Sequence, residues 1–220
     1  MEGVIFDLDG TLLDSMGLWR RAGVIYLERY GIEVDESLAD IILPLTIRGA
    51  ARYIKEHFPV PESVENITAG VNGVMEEFYK NYIKPKEGAA ELLAELYRRG
   101  IPMALATATD RYLIESAFNR LGWNKYFRGI CTCTEVGVGK RDGADVYDAA
   151  LKTFGGTRGG SWVFEDSPHA AATAKQAGFN VLGVKDEGGK ADQQKLKASC
   201  AVYVKSLAPV ERVLKLIGLE

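Results

Sequence analysis

Four acidic side chains stand as two pairs far apart in the chain, and each pair closes a short apolar run. Asp7 and Asp9 flank Leu8 in Phe6-Asp7-Leu8-Asp9-Gly10-Thr11-Leu12, and Glu165 and Asp166 end Trp162-Val163-Phe164-Glu165-Asp166-Ser167. Side chains at i and i+2 of an extended segment share a face, so Asp7 and Asp9 aim to one side. If both runs are strands of one parallel sheet, their carboxyl ends share an edge and the carboxylates converge there. Like charges a few ångströms apart repel by about 4 kcal/mol at an effective dielectric near 20, so the cluster needs a neutralising cation. A metal set of Asp7, Asp9, Glu165 and Asp166 offers only oxygen, which selects Mg²⁺ over zinc.

The same edge is expected to gain Thr107 and Ala108 from a second apolar run and Lys140 from Glu135-Val136-Gly137-Val138-Gly139-Lys140. A hydroxyl, open backbone N–H groups and an ammonium suit a phosphate dianion. Gly137-x-Gly139-Lys140 is not a nucleotide P-loop, because Thr134 stands where that loop has its first glycine and Arg141 where it has Ser or Thr. Each piece alone has a plain structural explanation. Asp-x-Asp can be a solvated strand end, Glu165-Asp166 a helix cap and Lys140 a surface lysine. Their joint position at predicted strand ends favours a phosphoryl-transfer site.

The elements that must position these groups follow from apolar periodicity. Buried-strand runs are predicted at Gly3 to Leu8, Met103 to Ala108, Gly129 to Cys133, Ser161 to Glu165 and Asn180 to Lys185. Helical patterns lie at Glu87 to Arg99, Arg111 to Leu121, Gly143 to Phe154, Pro168 to Ala177 and Pro209 to Ile217. Gly100, Gly122, Gly155, Gly178 and Gly218 stop helices, and the pairs Gly155-Gly156, Gly159-Gly160 and Gly188-Gly189 mark turns. Alternating strand and helix predict an α/β class with a Rossmann-like parallel sheet. Between Ser15 and Ile83 the alternation lapses into helices at Leu18 to Arg29, Glu36 to Ile42, Arg48 to His57 and Val64 to Tyr82. The expected organisation is therefore a discontinuous core, 1–14 and 84–220, interrupted by an all-helical segment, 15–83.

Bulk properties narrow the partners. The 220 residues are 47% hydrophobic and 26% charged, ordinary for a folded globular chain. With 27 basic against 30 acidic side chains and no dense basic run, nucleic acid and membrane surfaces are disfavoured and small molecules favoured. No leader pattern or apolar membrane span is visible, so a cytoplasmic protein, by default a monomer, is expected. Cys131, Cys133 and Cys200 are too few and wrongly spaced for a disulfide scaffold, and read as free thiols.

Taken together, these motifs resemble the haloacid dehalogenase (HAD) superfamily over nearly the whole chain. Phe6 to Leu12 is similar to its first motif, Thr107 to its second, Lys140 to its third and Phe164-Glu165-Asp166-Ser167 to its fourth. The resemblance implies Asp7 as nucleophile and Asp9 as general acid and base. It implies Thr107, Ala108 and Lys140 as phosphoryl contacts, and Mg²⁺ held by the Asp7 carboxylate, the Asp9 backbone carbonyl and Asp166, with Glu165 helping directly or through water. It also implies that 15–83 is a helical cap closing over a small phosphorylated metabolite.

A phosphatase is the expected member, with a β-phosphoglucomutase-like sugar-phosphate mutase as the alternative and a non-catalytic ligand-binding module as a third. Asp9 argues against a dehalogenase, which lacks that acid. Trp19 at the mutase's hinge-histidine position, Thr11 for its valine and a cap signature reduced to Thr46-Ile47-Arg48 argue against the mutase. Lys55 and Lys80 lack the context of a phosphonatase lysine. Arg141 after Lys140 and Ala170 in the fourth motif depart from the pattern without removing a catalytic group. Arg48 is the cap residue expected to touch substrate; Arg52, Trp19, Tyr53 and His169 are weaker candidates.

Overall fold

Apolar side chains on alternate faces of each central strand dictate the layering. A computed structural model describes every residue except Glu36, Pro44, Gly189, Lys190, Ala191 and Glu220. Six strands are described: β1 (Gly3–Phe6), β2 (Met103–Thr107), β3 (Gly129–Thr132), β4 (Ser161–Glu165), β5 (Asn180–Val184) and β6 (Val202–Val204). They pair in parallel in the order β3-β2-β1-β4-β5-β6. Along β1, Val4 and Phe6 enter one core and Ile5 the other, and all three are wholly buried. A strand buried on both faces must be apolar throughout, which is why these runs do not alternate with polar residues.

Eleven α-helices are described. α1 (Met16–Glu28), α2 (Leu38–Ile42), α3 (Ile47–His57) and α4 (Val64–Asn81) follow β1 with no strand between them. After them come α5 (Ala89–Arg98), α6 (Arg111–Leu121), α7 (Cys133–Val136), α8 (Asp145–Lys152), α9 (Pro168–Gln176), α10 (Gln193–Ser199) and α11 (Val210–Leu216). Helices α5, α6 and α11 bury Leu92, Ile114 and Val213 in the core on one face of the sheet, while α8, α9 and α10 bury Tyr147, Ala171 and Leu196 on the other. The arrangement is the α/β parallel sheet expected from sequence, here with helices on both faces.

The helices between β1 and α5 pack on one another, α1 and α3 each lying against α4. Thr46 and Ser63 cap α3 and α4, their hydroxyls accepting the Gly49 and Asn66 N–H groups. Leu27 and Tyr79 share an apolar cluster with Phe6, so the packing runs unbroken from these helices to the sheet. Arg120 of α6 donates to the Tyr79 and Ile83 carbonyls, satisfying acceptors that the end of α4 leaves open.

Several expectations shift. β1 ends at Phe6 rather than Leu8, although the Asp7 N–H still donates to the Phe164 carbonyl at 3.0 Å. Cys133 opens α7 instead of ending β3, because Thr132 and Glu135 form a reciprocal capping box. α10 and β6 went unpredicted: the helix is a mostly polar segment and the strand only three residues long. The predicted helix start at Glu36 and the second glycine of Gly188-Gly189 lie outside the described residues. Gly100, Gly122, Gly155, Gly178 and Gly218 all take positive φ, as helix stops do. The three cysteines are free.

Candidate active site

The strand order reverses between β1 and β4, and ligands of open α/β sheets bind beyond the carboxyl ends of strands at such a reversal. Register sets the acids side by side: Phe6 pairs with Phe164, so Asp7 and Glu165 are the next residue on neighbouring strands. Asp7, Glu165 and Asp166 are each buried, and each offers a carboxylate oxygen within 4.8 Å of the other two. Gly10 makes this approach possible. Its φ is +83°, and a Cβ there would lie 2.2 Å from Asp166 Oδ2, so any side chain would strike the acid.

Lys140 reaches the cluster from the loop after α7. Its Nζ donates to Asp7 Oδ1 and to Glu165 Oε1, both at 2.5 Å. Glu165 Oε1 also accepts the Tyr147 hydroxyl at 2.7 Å. Burial opposes charge on Lys140, but the Asp7 and Glu165 carboxylates outweigh it and hold the ammonium pKa above its ordinary value. Among the acids, burial dominates. It pushes Asp7 up to about 8, with Lys140 opposing and Glu165 and Asp9 adding repulsion. Asp166 rises for the same first reason, reinforced by Asp7, Glu165 and Asp186. One ammonium does not balance the acids, and an oxygen-only set with raised pKa values fits a hard divalent cation.

Asp9 is held apart from that set. Its Oδ1 accepts the Ser15 and Tyr79 hydroxyls, and its Oδ2 accepts the Thr109 hydroxyl at 2.6 Å. The Tyr79 oxygen in turn accepts the Trp19 indole N–H at 2.9 Å. The Asp9 carboxylate therefore stands at the junction of the α1–α4 helices and the sheet. Lys86 secures the turn beneath, donating to the Gly10 carbonyl at 2.8 Å, the Lys185 carbonyl at 2.7 Å and Asp186 at 2.9 Å.

The sequence-predicted residues are brought together with two departures. Asp7, Lys140, Glu165 and Asp166 form one cluster, and Thr107 lies at the end of β2, its hydroxyl accepting the Thr109 N–H at 3.1 Å. Ala108, next in the chain, is exposed at the same edge. The Asp9 carboxylate, held by three hydroxyls, is not one of the clustered acids, which departs from the expected convergence of four carboxylates and leaves its backbone carbonyl for the metal role that the family resemblance implies. Arg48 is the second departure. Its side chain is 67% exposed and its guanidinium pairs with Glu65 at 2.8 Å, because the first turns of α3 and α4 set them face to face. His169 is exposed in the first turn of α9.

Ser15, Thr109, Tyr79 and Tyr147 were not singled out from sequence. Ser15 and Thr109 could have been suspected from their closeness to Asp9 and Thr107 in the chain. Tyr79 and Tyr147 carry no signal beyond an apolar helix face.

A family model for haloacid dehalogenase-like hydrolases matches residues 4–184. The chain belongs to this family. A phosphorylated carbohydrates phosphatase of Thermotoga maritima is 30% identical over 185 residues, 84% of this chain and 85% of its own. A validoxylamine A 7'-phosphate phosphatase of Streptomyces hygroscopicus subsp. limoneus is 29% identical over 182 residues, covering 82% of this chain and 84% of its own. Among solved structures, CbbY from Rhodobacter sphaeroides in complex with phosphate superposes with a TM-score of 0.84 over 96% of each chain, at 24% identity, and so shares the fold. Membership identifies a hydrolase. Among the described residues no helix is long and apolar enough to cross a membrane.

Proposed function

We propose that this hydrolase is a magnesium-dependent phosphatase, splitting a small phosphate monoester in two steps through an aspartyl-phosphate on Asp7. The observation that carries the reading is Lys140 bridging Asp7 and Glu165 beside Asp166 at the sheet's point of strand reversal. Names of similar proteins support the substrate class, since both relatives described above are phosphatases, one of phosphorylated carbohydrates and one of validoxylamine A 7'-phosphate.

In the first step an Asp7 oxygen attacks phosphorus and the ester P–O bond breaks, with Asp9 giving its proton to the leaving oxygen. In the second, Asp9 takes a proton from water, the water oxygen attacks phosphorus, and the Asp7 O–P bond breaks to free phosphate and the carboxylate. Lys140 and Thr107 hold the phosphoryl oxygens, Lys140 as a point charge and Thr107 through its hydroxyl. Asp7, Asp166 and the Asp9 carbonyl would hold Mg²⁺, with Glu165 orienting Lys140 and completing the acid set. Bound there, the cation neutralises the carboxylates and withdraws charge from the phosphoryl oxygens. The α1–α4 segment acts as the cap that excludes water from the site.

Purified protein with Mg²⁺ is expected to turn over p-nitrophenyl phosphate, and both Asp7→Asn and EDTA to abolish it. Turnover retained by Asp7→Asn would discard the nucleophile. A sugar-phosphate mutase would instead interconvert β-glucose 1-phosphate in the presence of a bisphosphate activator with little free phosphate released, which a phosphate-release assay detects.

A further inference from the structure

Helix α4 turns two polar side chains toward the carboxyl edge of the sheet. Tyr79 reaches Asp9, and Asn72, seven residues or nearly two turns earlier on the same face, reaches Asp110. Asn72 is 95% buried and its Nδ2 donates to Asp110 Oδ2 at 2.9 Å, yet its Oδ1 has no hydrogen-bond partner. A buried carbonyl acceptor left unpaired is costly, and its persistence at a specific place invites a ligand donor. Asp110 follows Thr109, whose hydroxyl holds Asp9, and its other oxygen accepts the Thr134 hydroxyl at 2.8 Å from the exposed first turn of α7. Thr46, which caps α3, lies beside Gly139 next to Lys140, so the start of α3 meets the loop that carries that lysine.

We propose, building on the phosphatase reading, that Asn72 and Asp110 form the subsite for the organic half of the ester, accepting hydrogen bonds from sugar or polyol hydroxyls and rejecting a second phosphate. What this place offers a ligand is acceptor oxygen: the Asn72 carbonyl and the remaining lone pairs of the Asp110 carboxylate. Hydroxyls can donate to both. A phosphate dianion cannot, and it would meet the Asp110 charge. The field around it has the same sign, since Asp110 and Glu76 add to burial in lifting the nearby Tyr112 phenol to about 12. Arg111, next in the chain, is engaged with a carboxylate, donating to Glu135 at 2.5 and 2.8 Å. A site built to pair a hydroxyl discriminates strongly against molecules lacking one, because its own polar groups are then stranded.

The test compares kcat/KM with Mg²⁺ for p-nitrophenyl phosphate, glycerol 3-phosphate, ribose 5-phosphate, glucose 6-phosphate and glucose 1,6-bisphosphate. For the wild type, the best of the three hydroxylated monophosphates is expected to exceed p-nitrophenyl phosphate by about tenfold or more, and glucose 6-phosphate to exceed the bisphosphate. In Asn72→Leu the ratio of the best monophosphate to p-nitrophenyl phosphate is expected to fall about tenfold. Asp110→Asn, at a partly exposed position, keeps the shape and removes the charge; the bisphosphate is expected to gain about threefold or more on glucose 6-phosphate. An unchanged ratio in Asn72→Leu, or a wild type preferring the bisphosphate, overturns the subsite while leaving the phosphatase standing. Absence of p-nitrophenyl phosphate turnover in the wild type overturns both.

Discussion

Tyr79→Phe removes one oxygen from the contact between α4 and Asp9, and the structure sets the size of the effect. Tyr79 is fully buried, and burial together with the Asp9 charge keeps its pKa far above 10, so it remains a donor throughout the working pH range. A hydrogen bond to a charged acceptor is worth about 1.5–3 kcal/mol, and the Trp19 indole N–H, left without its acceptor, adds about 1 kcal/mol. Ser15 and Thr109 still hold the carboxylate, which draws the sum toward about 2–3 kcal/mol. For a chain of this length that is roughly a 4–12 °C fall in Tm. Because general acid–base catalysis contributes about a hundredfold or more, loosening one of three tethers on Asp9 is expected to lower kcat by about ten- to a hundredfold. KM should stay within about threefold, since Tyr79 bonds none of the groups proposed to hold the phosphoryl oxygens. Steady-state kinetics on p-nitrophenyl phosphate beside thermal unfolding reads both quantities. A fallen Tm with an unchanged kcat would make Tyr79 a packing residue only and refute the argument that it positions the acid.

Two further outcomes test the charge arrangement. In metal-free protein the folded Asp7 pKa of about 8 lies above the value of about 3.9 for an unfolded aspartate, so between those values the folded state binds more protons and stability falls as pH rises. Chemical denaturation in EDTA is expected to show this decline, and added Mg²⁺ to stabilise more near pH 8 than near pH 5; equal stabilisation at both would show that the buried acids are not its ligands. Lys86→Met takes the ammonium from the Gly10 and Lys185 carbonyls and from buried Asp186, with an expected loss of about 3–5 kcal/mol in urea unfolding. A loss below about 1 kcal/mol would mean that this buried pair is not what secures the Gly10 turn.

Much of the fold was legible because its signal is local. Strands buried on both faces must be continuously apolar, and helices must close on a residue that tolerates left-handed backbone, so Val4 to Phe6, Met103 to Ala106 and Gly100 or Gly122 declare themselves. β6 and α10 escaped because three residues and a mostly polar heptad hold too little pattern. Thr132 and Glu135 were in view, but the box they form overrode the apolar run through Cys133.

By itself, the sequence determined which groups meet at the sheet edge. Asp7, Lys140, Glu165 and Asp166 each stand at a fixed offset from a strand or its following loop, and parallel pairing carries those offsets into contact. Only the tertiary structure decided what Asp9 faces, that Arg48 turns to Glu65, and that Asn72 and Tyr79 reach the loops beyond β2 and β1. The Asn72 and Tyr79 contacts join residues 38 and 70 positions apart through the packing of α4 on the sheet edge. Helix periodicity says which side of α4 is buried but not what lies against it, and that partner is set by the whole apolar core rather than by any segment within it.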